Sequence, residues 1–204
     1  MSMFYLIGGH DFDTKNNYIA KRLLDLTHKT NPTIVLVPLA SNDSEKTINN
    51  FKREYASLNY NLITLCLTLK PEKNKIIEII NKADILYFSG GSTAFLINFL
   101  KKNNLLWIID EAIKRDDLII AGVSAGAIML SSYGLTDQEA YEDHGDFYNY
   151  KELEGLGILN IGFCPHFNLN DRILYFKDMV NKHSIDAYAL DEDTALYIEN
   201  NKIM

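Results

Sequence analysis

Gly122-Val123-Ser124-Ala125-Gly126 is the stretch of this sequence with the clearest chemical meaning. It has the form G-x-S-x-G, with the apolar run LIIA before it and AIML after it, so a strand enters the motif and a helix leaves it. A serine at such a turn has its hydroxyl thrust out at the top of a sheet, and the small residues beside it let the chain reverse sharply. The Ala125 N–H then opens a helix and faces a reacting carbonyl where negative charge is favoured. The plainer alternative is a small-residue turn packed under the sheet.

A serine hydroxyl is a weak nucleophile until a base accepts its proton. Among five histidines, His166 in Cys164-Pro165-His166-Phe167 is the best-placed base, because it stands where a strand-like run ends. His10 follows a Gly-Gly turn, and His28 and His183 end helices, so these three read as solvated residues. His144 lies in an acidic tract and fits either reading. The carboxylate that orients the imidazole has two sources. In the order serine–acid–histidine of an α/β-hydrolase esterase it comes from Asp137–Glu154, for instance Glu139 or Asp143. In the order serine–histidine–acid it comes from Asp191-Glu192-Asp193, at the end of a strand over 187–190. A strand end holds a carboxylate more rigidly than a long loop. That weakly favours the second cluster without choosing among its three acids.

Two further groups bear on substrate. In Tyr87-Phe88-Ser89-Gly90-Gly91-Ser92-Thr93 a strand gives way to a Gly-Gly turn and a helix start. The Gly91 N–H can complete an oxyanion hole with Ala125, while Ser92 or Thr93 serves as the helix N-cap. Arg172, six residues past His166 near a helix start, suits two-pronged recognition of a substrate carboxylate. The competing reading is a surface ion pair with Asp171 or another acid.

The elements that position these residues alternate. Met3–Ile7, Thr33–Val37, Asn61–Leu65, Asp84–Phe88 and Leu118–Gly122 read as strands. The segments 16–28, 44–58, 71–83, 93–101, 105–115 and 125–131 read as helices between and after them. Strands apolar on both faces, alternating with helices, predict a mostly parallel central sheet flanked by helices. The tail adds short strands over 161–167, 186–190 and 195–198 and a helix over 171–182. The segment Asp137–Glu154 holds seven acids against one lysine. It reads either as a solvated loop or as a lid and negative rim beside the site.

A chain of 204 residues with 47% hydrophobic and 23% charged residues is expected to form a single globular domain, residues 1–204. A net charge of −7 without a basic stripe argues against a nucleic-acid or anionic-membrane partner. Cys66 and Cys164 match no zinc or redox spacing, and each reads as a small buried hydrophobe. There is no P-loop, no HExxH and no complete GxGxxG. Without a signal-peptide pattern or an apolar run of about 20 residues, the expectation is a soluble, cytoplasmic protein.

Taken together, GVSAGA around Ser124, FSGGST before a helix, GLGIL…PHF leading to His166 and LDEDTAL around Glu192 resemble the S51 serine peptidase family. That family includes aspartyl dipeptidase (peptidase E) and cyanophycinase. The four motifs stand in family order and span nearly the whole chain. The resemblance implies a class I glutamine-amidotransferase-like, flavodoxin-like three-layer sandwich. It also implies a Ser–His–Glu triad of Ser124, His166 and Glu192, with Gly91 and Ala125 as oxyanion donors. The implied activity is hydrolysis of short peptides or peptide-like amides, at acidic N-terminal residues in the dipeptidases, with no metal or other cofactor. The chain departs from the family where SGGST replaces the frequent GGGNT, which puts Ser92 at a substrate-contacting position. It departs again after the histidine, where Arg172 is the arginine that remains. The rival class is a binding protein that keeps the fold without catalysis.

Overall fold

The computed structural model describes residues 3–10, 17–137, 150–169, 172–200 and 202–204. Among them the strands are β1 (Met3–Ile7), β2 (Thr33–Val37), β3 (Asn61–Thr64), β4 (Ile85–Phe88), β5 (Ile119–Val123) and β6 (Tyr133–Thr136). They continue as β7 (Lys151–Glu154), β8 (Gly162–Cys164), β9 (Ala187–Ala189), β10 (Ala195–Glu199) and β11 (Lys202–Ile203). The helices are α1 (Tyr18–Asp25), α2 (Glu45–Glu54), α3 (Lys73–Asn81), α4 (Thr93–Lys102), α5 (Trp107–Ala112), α6 (Ala125–Leu130) and α7 (Arg172–His183).

The larger sheet runs β11-β10-β1-β5-β4-β2-β3. Its five strands from β1 to β3 are parallel, and the β10–β11 hairpin continues it antiparallel past β1. Side chains alternate across a strand, so one run of apolar residues feeds two cores. Phe4, Leu6, Val35, Val37, Leu86, Phe88 and Ile120 face α3, α4, α5 and α6. Tyr5, Ile7, Ile34, Leu36, Ile85, Tyr87 and Ala121 face α1 and α2. This is a mixed α/β sandwich with a central, mostly parallel sheet between helical layers, as the strand pattern predicts.

A second sheet, in the order β7-β6-β8-β9, lies outside that reading. β6 and β7 were not expected, since YGLT and KELE carry too few apolar residues to stand out beside an acidic tract. The end of the supposed acidic loop is therefore a strand, paired antiparallel with β6. Its remaining members Glu139, Tyr141, Glu142, Asp143, His144, Asp146 and Tyr148 lie outside the described residues. The run 161–167 is also shorter than read: β8 stops at Cys164, because Pro165 has no N–H to continue a ladder. Leu135, Tyr150, Cys164 and Met179 form a third apolar cluster with Phe167 and Phe176. Cys66 is half-buried rather than buried. Among the described residues no helix is long and apolar enough to cross a membrane.

Parallel strands deliver their carboxyl ends to one edge of a sheet, where ligands of open α/β folds bind. Here that edge collects the turns after β1, β2, β4 and β5. Because β10 runs antiparallel, with Ala195 beside Ile7, its beginning reaches the same edge. Glu192, three residues earlier, thus overhangs the ends of the parallel strands.

Candidate active site

The end of β1 is the template on which the site is assembled. Three consecutive carbonyls accept amides from three distant segments: Ile7 from Ser124 at 3.0 Å, Gly8 from His166 at 3.1 Å, and Gly9 from Asp193 at 3.0 Å. The Glu192 N–H donates to Asn168 Oδ1 at 2.9 Å, which ties the acid-bearing turn to the chain leaving His166. The Gly-Gly turn, read from sequence as punctuation, is the scaffold of the centre.

Ser124 caps α6 with φ 49° and ψ −108°, a strained conformation for a residue with a Cβ. Such strain persists only where the surroundings impose it. The chain crosses so closely here that a Cβ on Gly126 would lie 2.4 Å from the Phe88 carbonyl oxygen. One on Gly122 would lie 2.5 Å from the Gly126 carbonyl carbon. That is the steric reason for both glycines of G-x-S-x-G.

His166 also has a positive φ, 51°, which turns its ring back over the edge of the sheet after Pro165. Its Nε2 lies 3.0 Å from Ser124 Oγ and its Nδ1 lies 3.1 Å from Glu192 Oε1. With the imidazole proton on Nδ1, that N–H donates to the carboxylate and Nε2 accepts the serine O–H. The side chains of His166 and Glu192 are 20% and 17% exposed, so a ligand can reach them while the field between them is only partly screened. Burial, and next the Arg172 guanidinium, hold the His166 pKa below its ordinary 6.5, against the opposing hydrogen bond that the ring donates to Glu192. The ring is therefore neutral, and able to accept a proton, at neutral pH.

The three residues line a cleft of about 590 Å³, within the usual range for small-ligand sites. Gly91 and Ser92 line it too. Ser92 Oγ accepts the Phe95 N–H at 3.0 Å, so it is the N-cap of α4 while facing the cleft. The N–H groups of Gly91 and Ala125 have no backbone acceptor among the described residues. Of the other candidate acids, Asp191 gives its carbonyl to Thr194 Oγ1. Asp137 is paired with Arg172. Among the described residues no cluster of three His, Cys, Asp or Glu side chains could hold a metal ion.

Two expectations need correction. Arg172 does not reach the cleft to read a carboxylate, and it is not a surface pair either. Its side chain is 1% exposed, bonded to Asp137 and, at 3.0 Å, to the Pro165 carbonyl, with the guanidinium 4.7 Å from the Tyr150 ring centroid. It braces the turn that presents His166. His10 and His183 are not solvated: His183 is 2.6 Å from Glu152 and stacks on Tyr133, and His10 sits in the cleft beside Glu54 and Tyr87. Lys46, Asn50 and Glu54, which sequence reasoning missed, also line the cleft from α2. Their recurrence at i, i+4 and i+8 is a helical stripe of polar residues, the one signal that could have found them.

The Peptidase family S51 model matches residues 4–204. The chain belongs to peptidase family S51. It is 29% identical over 198 residues to the uncharacterized peptidase YgaJ of Bacillus subtilis (strain 168), covering 96% of this chain and 82% of that one. A solved structure of a candidate peptidase E from Listeria monocytogenes EGD-e superposes with TM-score 0.71 at 21% identity, over 100% of this chain and 97% of the other. A peptidase from an acI-B1 actinobacterium superposes with TM-score 0.68 at 23% identity, over 97% and 83%. At these identities the structural likenesses speak for the fold, which is flavodoxin-like.

The S51 chain is sensitive at Gly9. A Cβ there would lie 2.3 Å from His166 Nδ1 and 3.2 Å from Glu192 Cγ. Gly9→Ala therefore wedges the ring off its carboxylate. The expected result is a loss of about a hundredfold in kcat, the cost of an ångström-scale misplacement, in steady-state kinetics. The thermal midpoint should fall as well, since Gly9 is buried and the ring has to shift to admit the methyl group.

Proposed function

We propose that this S51 peptidase is a serine hydrolase of short peptides or peptide-like amides, using Ser124, His166 and Glu192. The observation that carries the reading is the continuous path from Ser124 Oγ through the His166 ring to Glu192 Oε1, with steps of 3.0 and 3.1 Å, open to the cleft. Ser124 attacks the carbonyl while Nε2 takes its proton. Glu192 holds the ring in the required tautomer and stabilises the imidazolium. The Gly91 and Ala125 N–H groups receive the oxyanion. His166 then protonates the leaving amine, and water repeats the cycle on the acyl-enzyme. The cleft has room for a small peptide. The acidic N-terminal preference of aspartyl dipeptidase loses its expected reader here, because Arg172 is sealed under the His166 turn.

Two measurements test the proposal together. A fluorophosphonate probe should label Ser124, located by peptide mapping, and labelling should stop in His166→Gln. The acid limb of kcat/KM should lie below pH 6.5, because protonation of His166 removes the base and its folded pKa is lowered. The same sign holds for stability. The unfolded chain takes up the proton more readily, so the fold loses stability as pH falls below 6.5. Labelling at another residue, or an acid limb above 6.5, would overturn the assignment.

A further inference from the structure

Helix α2 ends against the cleft on a carboxyl that the proposed catalysis does not use. Glu54 is the last residue of the helix, and its side chain is 13% exposed. It lies 3.3 Å from His10 Nδ1, and His10 Nε2 lies 3.2 Å from the hydroxyl of buried Tyr87. Leu36, Phe51 and Tyr87 form apolar walls of the same cleft. The position is a poor one for a negative charge. Burial and nearby Asp193 push the Glu54 pKa up to about 8, and the helix C-terminus adds a partial negative potential. Burial likewise pushes His10 down to about 4, helped by His166 and opposed by Asp193. The groups facing Glu54 are thus His10, Asp193, Tyr55 and Tyr87, with His166 behind Gly9. Near neutral pH Glu54 is thus a neutral acid 3.3 Å from a neutral His10 ring, whose Nε2 lies within hydrogen-bond distance of the Tyr87 hydroxyl. Such a polar pair in an apolar wall contributes little to stability over well-packed hydrophobic residues. A group held this way in a cleft points to a ligand.

We infer that Glu54, with His10 behind it, is the subsite for a basic side chain, so that the preferred substrates are short peptides with lysine or arginine next to the scissile bond. The inference rests on the peptidase reading above. A methylene stem fits against Leu36, Phe51 and Tyr87, and its cationic head gains from both the carboxyl and the aromatic faces. Arrival of the cation offsets the cost of ionising Glu54, which then gives up its proton to solvent. An acidic side chain meets the opposite conditions. Lys46, the lysine or arginine among the described residues that lines the cleft, sits at the other end of α2, about 12 Å away at 1.5 Å per residue.

The test compares Lys-Ala with norleucine-Ala, and Ala-Lys with Ala-norleucine, so that each pair differs in the ammonium group. For one pair at least, the wild type should favour lysine tenfold or more in kcat/KM, and in Glu54→Gln the ratio should fall to about one. Calorimetric binding to Ser124→Ala, which needs no hydrolysis, should show the same preference. It should also show proton release at pH 7, revealed by buffers of different ionisation enthalpy, and both should vanish in Ser124→Ala/Glu54→Gln. Should the glutamine variant melt early, Glu54→Ser gives the same comparison. A lysine ratio unchanged by the substitution in hydrolysis and binding, or no binding of any of the four peptides, overturns the subsite. Hydrolysis with an unchanged ratio leaves the peptidase standing alone. Glu54-dependent binding without any wild-type hydrolysis leaves the subsite standing and removes the peptidase.

Discussion

Ser124→Ala lowers kcat by at least about three orders of magnitude while the thermal midpoint stays within a degree or two of wild type. The size follows from the unit character of a nucleophile–base pair: once the hydroxyl is gone, His166 and Glu192 have nothing to activate, and the oxyanion donors act alone. The small structural effect follows from the geometry. The hydroxyl reaches into the cleft toward Nε2 rather than into either core, and alanine at φ 49° meets the same backbone cost that serine already bears. Stopped assays with a chromogenic peptide amide and a melting curve on the same preparation check both halves. An alanine variant that keeps most of its activity would put the nucleophile elsewhere.

Arg172→Met destabilises the protein by about 3 kcal/mol, the lower end of the cost of breaking a buried pair. The lower end applies because Asp137 keeps 22% exposure and can be partly hydrated. The substitution also frees the Pro165 carbonyl, one residue before His166, and removes a positive charge that depresses the His166 pKa. The acid limb of kcat/KM should therefore move up in pH, toward 6.5. Urea unfolding and a pH–rate profile measure the two effects. An arginine that read a substrate carboxylate would behave differently, with stability unchanged and KM raised for acidic peptides alone. Unchanged stability together with an unmoved acid limb would discard the bracing role.

What could be read from sequence follows what is local. The five parallel strands announce themselves because each is apolar on both faces, as in TIVLV at β2 and DILYF at β4. The serine turn is visible because its glycines are needed within a few residues of one another. The choice among Asp191, Glu192 and Asp193 does not follow from the residues, since it depends on the Asp193 N–H docking on the Gly9 carbonyl, far away in sequence. Family resemblance pointed to Glu192, and in the structure its carboxylate is the one on Nδ1. Arg172 misled because its partner Asp137 comes from a tract that looks uniformly solvated. Glu54 escaped notice beside Lys52 and Arg53, where it resembles one more surface charge. Only the docking of α2 over the sheet edge turns it inward.

The reliance of three segments on the carbonyls of Ile7, Gly8 and Gly9 has a consequence for biosynthesis. A ribosome delivers this template first, and β2, β4, β5 and Ser124 follow early enough to form a nearly complete parallel sheet. His166 emerges later, Glu192 later still, and β10 must then travel back to close on β1 across a long sequence separation. Until that last closure the Ser124 hydroxyl has no fixed partner. The order of synthesis thus places the meeting of Ser124, His166 and Glu192 after the parallel strands that hold the serine turn.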